Sequence, residues 1–191
     1  RFRFEHSTLE IYAVEPDADG TLSGRQVLVP VTTRTFELGA EIKSSLYGAM
    51  QAAGEAPGLV ARVVDVFAWD IDFYRNTHPG DQFRVIVEKQ FKDDEFVRYG
   101  RVLAAEYVGK VGTFQTYWFQ ASDESDGGYY LSDGRSAEKT FLATPLKFSR
   151  ISSGFNRKRK HPILGYTKAH MGVDYAAPRG TPVWAMAAGT V

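Results

Sequence analysis

The chain contains no cysteine, which removes thiolate zinc sites, a cysteine nucleophile and any disulfide framework. A bound metal would have to rest on histidine, aspartate or glutamate. The absence suits an oxidising compartment such as the periplasm, although many cytosolic proteins share it. Net charge is also missing: 23 Lys and Arg balance 23 Asp and Glu, so no overall field draws the molecule to nucleic acid or to an anionic membrane. Long apolar runs are lacking too. No stretch approaches the length of a membrane helix, and the opening RFRFEHSTLEIY alternates instead of forming a signal-peptide block.

What is present is globular material. Over 191 residues, 43% apolar and 24% charged, the chain can bury one sizeable core or two modest ones. It begins with Arg1, so the sequence reads as a processed or excised piece. Phe2/Phe4 and Leu9/Ile11 alternate with polar residues, Pro16 to Gly20 marks a turn, and Val27/Val29/Val31 resume the two-residue period. The period then lengthens. In EIKSSLYGAMQAAG, Ile42, Leu46, Met50 and Ala53 fall on one helical face, closed by Gly54, Pro57 and Gly58. Leu59, Val60, Val63, Val64 and Phe67 predict a second helix, with Pro57 in its first turn. DQFRVIVEKQF, the turn KDDE and FVRYGRVLAAEYV read as a hairpin. GTFQTYWFQA is a further aromatic strand, and DESDGG and LSDGR are loops around Tyr129 and Tyr130. Many strands with two early helices make an α+β fold of mostly antiparallel sheet. Pro145 and the basic run after it place a domain change near residue 147. The stretch 147–191, about forty-five residues, is near the lower limit for folding unaided.

The short sequence HMGVD places His170 and Asp174 four residues apart. Gly172, Val173, Tyr175, Pro178 and Gly180 argue against a helix. On a strand, His170, Gly172 and Asp174 share one face, while Met171, Val173 and Tyr175 face the core. A straight strand would hold the two ligands about 13 Å apart at Cα, too far to share a zinc. It must bend, and Gly172 allows a bulge and leaves room for an ion. Spacing alone leaves the pair equally open to a hydrogen-bonded couple or plain exposure, and a zinc site needs at least three protein ligands.

The whole run RISSGFNRKRKHPILGYTKAHMGVDYAAPRGTPVWAMAAGTV, from Arg150 to Val191, closely resembles the opening of the lysostaphin-type (LytM-like) zinc metallopeptidases, which cut peptide cross-links of peptidoglycan. The likeness covers Ile-Ser-Ser, the basic stretch ending in His161-Pro162-Ile163-Leu164-Gly165, His-x-Gly-Val-Asp-Tyr-Ala-Ala-Pro, Gly-Thr-Pro-Val and the closing Gly-x-Val. Upstream, IKSSLYGAMQAAG, VFAWDIDFYRNTHPGDQF and a Tyr-Tyr…Asp-Gly…Phe-Leu…Pro-Leu series are similar to the accessory region of Gram-negative envelope endopeptidases. The resemblance implies residues 1–146 as an amino-terminal accessory domain and 147–191 as the start of an antiparallel-sheet peptidase domain. It further implies Zn2+ held by His170 and Asp174, peptidoglycan stem peptides as partner, and contact of the accessory domain with the peptidase groove. The expected location is the periplasm or envelope of a Gram-negative bacterium. The family's third ligand and catalytic histidines come from a later His-x-His motif and one more downstream histidine. The other histidines here are His6, His78 and His161, so the missing ones are expected beyond Val191 and this piece alone is expected to be inactive. The alternative is a catalytically silent relative that binds peptidoglycan or regulates another hydrolase.

Other features have plainer readings. Arg157, Lys158, Arg159 and Lys160 could attract stem-peptide carboxylates, but a solvated, mobile loop is the simpler expectation. Asp70, Asp72, His78 and Asp81 resemble a second metal set, yet Pro79-Gly80-Asp81 reads as a turn. Trp69, Tyr117, Trp118, Tyr129 and Tyr130 could stack on sugars, although aromatic strand residues usually belong to the core.

Overall fold

Two-residue alternation governs most of this chain, and the computed structural model is accordingly rich in antiparallel strands. It describes residues 1–123, 125–146, 150–160 and 167–190. The motif residues His161 to Gly165 lie outside the described residues, as do Val191 and the expected boundary at residue 147. The elements run β1 (Phe2–Glu5), β2 (Ile11–Pro16), β3 (Leu22–Val27), β4 (Thr32–Glu41), α1 (Leu46–Ala52), α2 (Pro57–Val66), β5 (Gln82–Lys92), β6 (Glu95–Gly109), β7 (Gly112–Phe119), β8 (Gly128–Tyr130), β9 (Arg150–Ser153), β10 (Asn156–Lys160), β11 (Thr167–His170) and β12 (Asp174–Ala176). They form a β1-β2-β3 sheet, a β4-β5-β6-β7-β8 sheet and two pairs, β10-β11 and β12-β9. Two helices with mostly antiparallel sheet make this an α+β fold.

The chain divides into two units, Arg1–Phe36 with Val87–Arg101, and Glu37–Ile86 with Val102–Val191. In the first, the turn at Pro16 to Gly20 forms as expected, with Gly20 at φ 85°, and β1, β2 and β3 pair antiparallel. The expected half-burial fails for Phe2 and Phe4, which are both exposed, while Ile11 and Ala13 on β2 are buried. Nor do Val29 and Val31 continue a strand: β3 ends at Val27, and Leu28 is 92% exposed. The β5–β6 hairpin turns through Asp93 and Asp94, both at positive φ (50° and 65°), the requirement of a type I′ connection. Asp94 also pairs with Arg34.

In the second unit, α2 begins with Pro57 at its first turn and buries Leu59, Val60, Val63, Val64 and Val66. Each contributes roughly 2 kcal/mol on leaving water. The first helix starts later than its periodicity suggests. Ile42 is fully buried but lies before Ser45, which caps the helix by accepting the Gly48 amide at 3.1 Å. Its backbone is instead tied to the entrance of β5, through Ile42 N to Asp81 O at 2.7 Å and Gly80 N to Ile42 O at 2.9 Å. Phe83 and Val85 alternate inward on β5, as Ala105 and Tyr107 do on β6, where Val102 is buried out of that phase. Phe73 bridges the helices to the sheet, its ring 6.2 Å from Phe67 and 5.6 Å from Tyr107. Tyr129 and Tyr130, between the two expected loops, lie in β8. Trp118 meets Tyr129 edge-on at 5.2 Å and lies against Gly127, where an added Cβ would collide with the indole. Gly127→Ala is therefore expected to destabilise the protein by about 1–3 kcal/mol through overpacking, measurable as a lower midpoint of denaturant unfolding.

A strap follows. Leu142 N donates to Met186 O at 2.8 Å, Ala143 N to Ala68 O at 2.9 Å, and Trp184 N to Pro145 O at 2.9 Å. Residues 142–145 are thus joined to the end of the helical pair on one side and to residues 184–186 on the other, with Leu142 and Leu146 buried.

Candidate metal centre

The expected single bent strand is two strands. His170 closes β11, whose partner is β10, and Asp174 opens β12, whose partner is β9. The chain leaves one pair and enters the other over Met171 to Val173, so alternation does not apply there, and Met171 and Val173 are exposed instead of buried. The register shifts lie opposite the ligand strands, between Asn156 and Arg159 and around the Asp174–Ser153 pairing. A Cβ at Gly172 would meet nothing within 4 Å among the described residues.

The side chains nonetheless converge, with His170 Nε2 3.2 Å from Asp174 Oδ2. Across the ring, His170 Nδ1 lies 2.7 Å from Gly154 O and 3.2 Å from Ser153 Oγ. A carbonyl can only accept, so Nδ1 carries the proton. In the neutral ring Nε2 is then a lone pair facing a carboxylate, and that arrangement needs positive charge between the two atoms, from a proton or a metal. Two donors about 2.0–2.1 Å from a tetrahedral cation stand about 3.3 Å apart, close to the separation here. The His170 side chain is 17% exposed and that of Asp174 57%, so the pair is anchored on one side and open on the other. The donor set fits a borderline-soft divalent cation. Among the described residues no group of three His, Cys, Asp or Glu side chains forms.

Ser153 and Gly154 were not singled out in the sequence as functional. Ile-Ser-Ser carries part of the resemblance, but nothing in the spacing connects it with a histidine 16 or 17 residues later.

The four acidic and histidine residues at 70–81 do not make a second centre. Asp70 pairs with Lys139. Asp72 Oδ1 accepts the Tyr74 amide at 3.0 Å. Asp81, 4% exposed, accepts from the His78 amide at 2.7 Å, from the Lys110 amide at 3.0 Å and from the Tyr107 hydroxyl. Burial opposes its ionisation, but these hydrogen bonds and the neighbouring His78 ring hold its carboxyl below the ordinary aspartate value. Burial first, and then the bond to Asp81 and its charge, push the Tyr107 phenol above its usual range. This is a turn lock. His6 lies 3.7 Å from Glu10 at the surface. The basic run is not a loop: Arg157 to Lys160 lie in β10, opposite β11, where charged residues suit a narrow two-stranded ribbon. Of the aromatic residues, Trp118 and Tyr129 pack edge-to-face on each other, Trp69 and Tyr130 are half-buried, and Tyr117 is exposed.

The sequence has clear relatives. It is 38% identical over 160 residues to the peptidoglycan DD-endopeptidase ShyC of Vibrio cholerae, covering 82% of this chain and 36% of that protein. To the peptidoglycan DD-endopeptidase ShyB of the same organism it is 28% identical over 193 residues, covering 100% of this chain and 44% of the relative. A zinc-containing peptidase from Vibrio cholerae, solved as a crystal structure, matches with a TM-score of 0.56 and 27% identity over 96% of this chain and 56% of that one. The chain thus spans less than half the length of these curated relatives, and the expected kinship with peptidoglycan endopeptidases holds. No described helix is long and apolar enough to cross a membrane. Residues 32–157 match the family model described as Csd3 second domain, and the chain belongs to that family.

Proposed function

We propose that this chain is part of a zinc-dependent endopeptidase that hydrolyses peptide cross-links of peptidoglycan in the periplasm or envelope of a Gram-negative bacterium. Residues 1–146 form its accessory domain and 147–191 the amino-terminal part of its peptidase domain. The observation carrying this reading is the approach of His170 Nε2 to Asp174 Oδ2 at 3.2 Å, in a chain similar to proteins named as peptidoglycan endopeptidases. His170 and Asp174 are two of the zinc ligands, and a histidine outside this sequence is the third.

Zinc supplies a Lewis acid that polarises the scissile carbonyl and eases deprotonation of the attacking water. The chain's own residues prepare that chemistry. His170 keeps its proton on Nδ1 and its lone pair on Nε2, while Asp174 supplies negative charge on the solvent-facing side. The proposal includes contact between the accessory domain and the peptidase groove. The backbone bonds of Leu142 with Met186 and of Pro145 with Trp184 support an accessory region anchored to the peptidase portion.

Purified sacculi incubated with the full-length protein test the reading. Loss of cross-linked fragments is expected, abolished by a zinc chelator and restored by added Zn2+. Sacculi that are bound but left uncut by the metal-loaded protein would identify a silent peptidoglycan-binding relative instead.

A further inference from the structure

We infer that Ser153 is a positioning residue for the metal centre, and that the segment Ser152-Ser153-Gly154 fixes the orientation and tautomer of His170 while aligning Asp174. The inference rests on the zinc reading above. Three separate contacts converge on this short stretch. Gly154 O accepts from His170 Nδ1 at 2.7 Å. Ser153 Oγ sits 3.2 Å from the same nitrogen, and Ser153 is also the cross-strand partner of Asp174. Ser152 Oγ donates to the Asp174 carbonyl at 3.2 Å.

His170 and Asp174 lie on strands of two different pairs and are joined only by the exposed turn at 171–173, so nothing in their own strands sets their mutual position. β9 makes that connection. It pairs with β12 through Ser153 and reaches the β11 histidine through the next peptide. The Gly154 carbonyl excludes the tautomer with hydrogen on Nε2, because that ring would turn a lone pair towards a carbonyl oxygen at 2.7 Å. The Ser153 hydroxyl adds a second polar atom to the same edge of the ring and restrains its rotation. A second-sphere oxygen of this kind raises the basicity of the ligating nitrogen and typically changes metal affinity by 10–100-fold.

The Gly154 contact comes from backbone and survives any substitution, so the hydroxyl is the part open to test. In the full-length protein, Ser153→Ala is expected to weaken Zn2+ binding about tenfold, measured by competition with a chromophoric chelator, whereas Ser153→Thr keeps the hydroxyl and the affinity. Long-range 1H–15N correlation on metal-free protein provides a readout independent of catalysis: His170 should carry its proton on Nδ1, and Ser153→Ala should broaden or shift that resonance. Ser152→Ala, which removes the hydroxyl donated to the Asp174 carbonyl and leaves the His170 ring contacts in place, controls for general loosening of β9 and should change affinity less. Wild-type affinity in a folded Ser153→Ala protein, or a wild-type His170 protonated on Nε2 and not on Nδ1, overturns the inference. If the unmodified protein binds no zinc, the functional reading fails, while the tautomer measurement still decides the role of Ser153.

Discussion

His170→Ala in the full-length protein should lower cross-link hydrolysis by roughly a thousandfold or more, equivalent to about 4 kcal/mol of transition-state stabilisation. The substitution takes away the only nitrogen that the described residues bring to the pair, leaving Asp174, largely solvated, to hold the ion from this part of the site. Stability should change little. The ring gives up one principal hydrogen bond, to Gly154 O, at the edge of a small strand pair, a loss of about 1 kcal/mol. Asp174→Asn should show the same dissociation of activity from stability, since it keeps the shape but withdraws the charge facing Nε2. Metal content, rate of fragment release and unfolding midpoint measured on the same preparations check the prediction. A His170→Ala protein with full zinc content and undiminished cleavage would remove His170 from the centre.

Asp81→Ala should have the opposite signature, a large loss of stability with no direct effect on metal binding. Its carboxylate satisfies two backbone amides and the Tyr107 hydroxyl inside the second unit, and truncation leaves all three without that acceptor. Buried donors stripped of a charged partner cost about 1–3 kcal/mol each at most, so a net loss of about 3 kcal/mol is expected. Gly109 faces the same carboxylate so closely that any Cβ would displace it, which leaves the site little freedom to relax. The effect depends on pH. The folded-state pKa of Asp81 lies below the ordinary value, so its ionisation stabilises the fold fully above about pH 4. That contribution fades as pH falls through the folded value. The gap between wild type and Asp81→Ala should therefore narrow in acid. Denaturant unfolding of both proteins at neutral and acid pH measures it, and a constant gap would locate the stabilisation elsewhere.

How much of this was readable in advance followed the range of the interactions. α2 and the β5–β6 hairpin were legible because their signals are local: a 3.6-residue period behind Pro57, and alternation on either side of Asp93-Asp94. The start of α1 is not legible, because Ile42 has the right spacing for the helix but its amide is bound by the Asp81 carbonyl from another part of the chain. β4 carries no local signal, because its side chains are largely exposed and leave no apolar period. His170 and Asp174 could be named from residue type and resemblance. Their placement on two strands could not, because that depends on pairing with β9 and β10. Ser153 and Gly154 were hidden for the same reason, being distant in sequence and adjacent only through the fold.

The strap at 142–145 also dictates an order of events. Its amides and carbonyls are claimed by Ala68, made some seventy-five residues earlier, and by Trp184 and Met186, made some forty later. During vectorial synthesis the earlier half of that seam can close first, but the later half must wait for residue 186 to emerge. Until then the strap offers an unpaired backbone edge to neighbouring nascent chains.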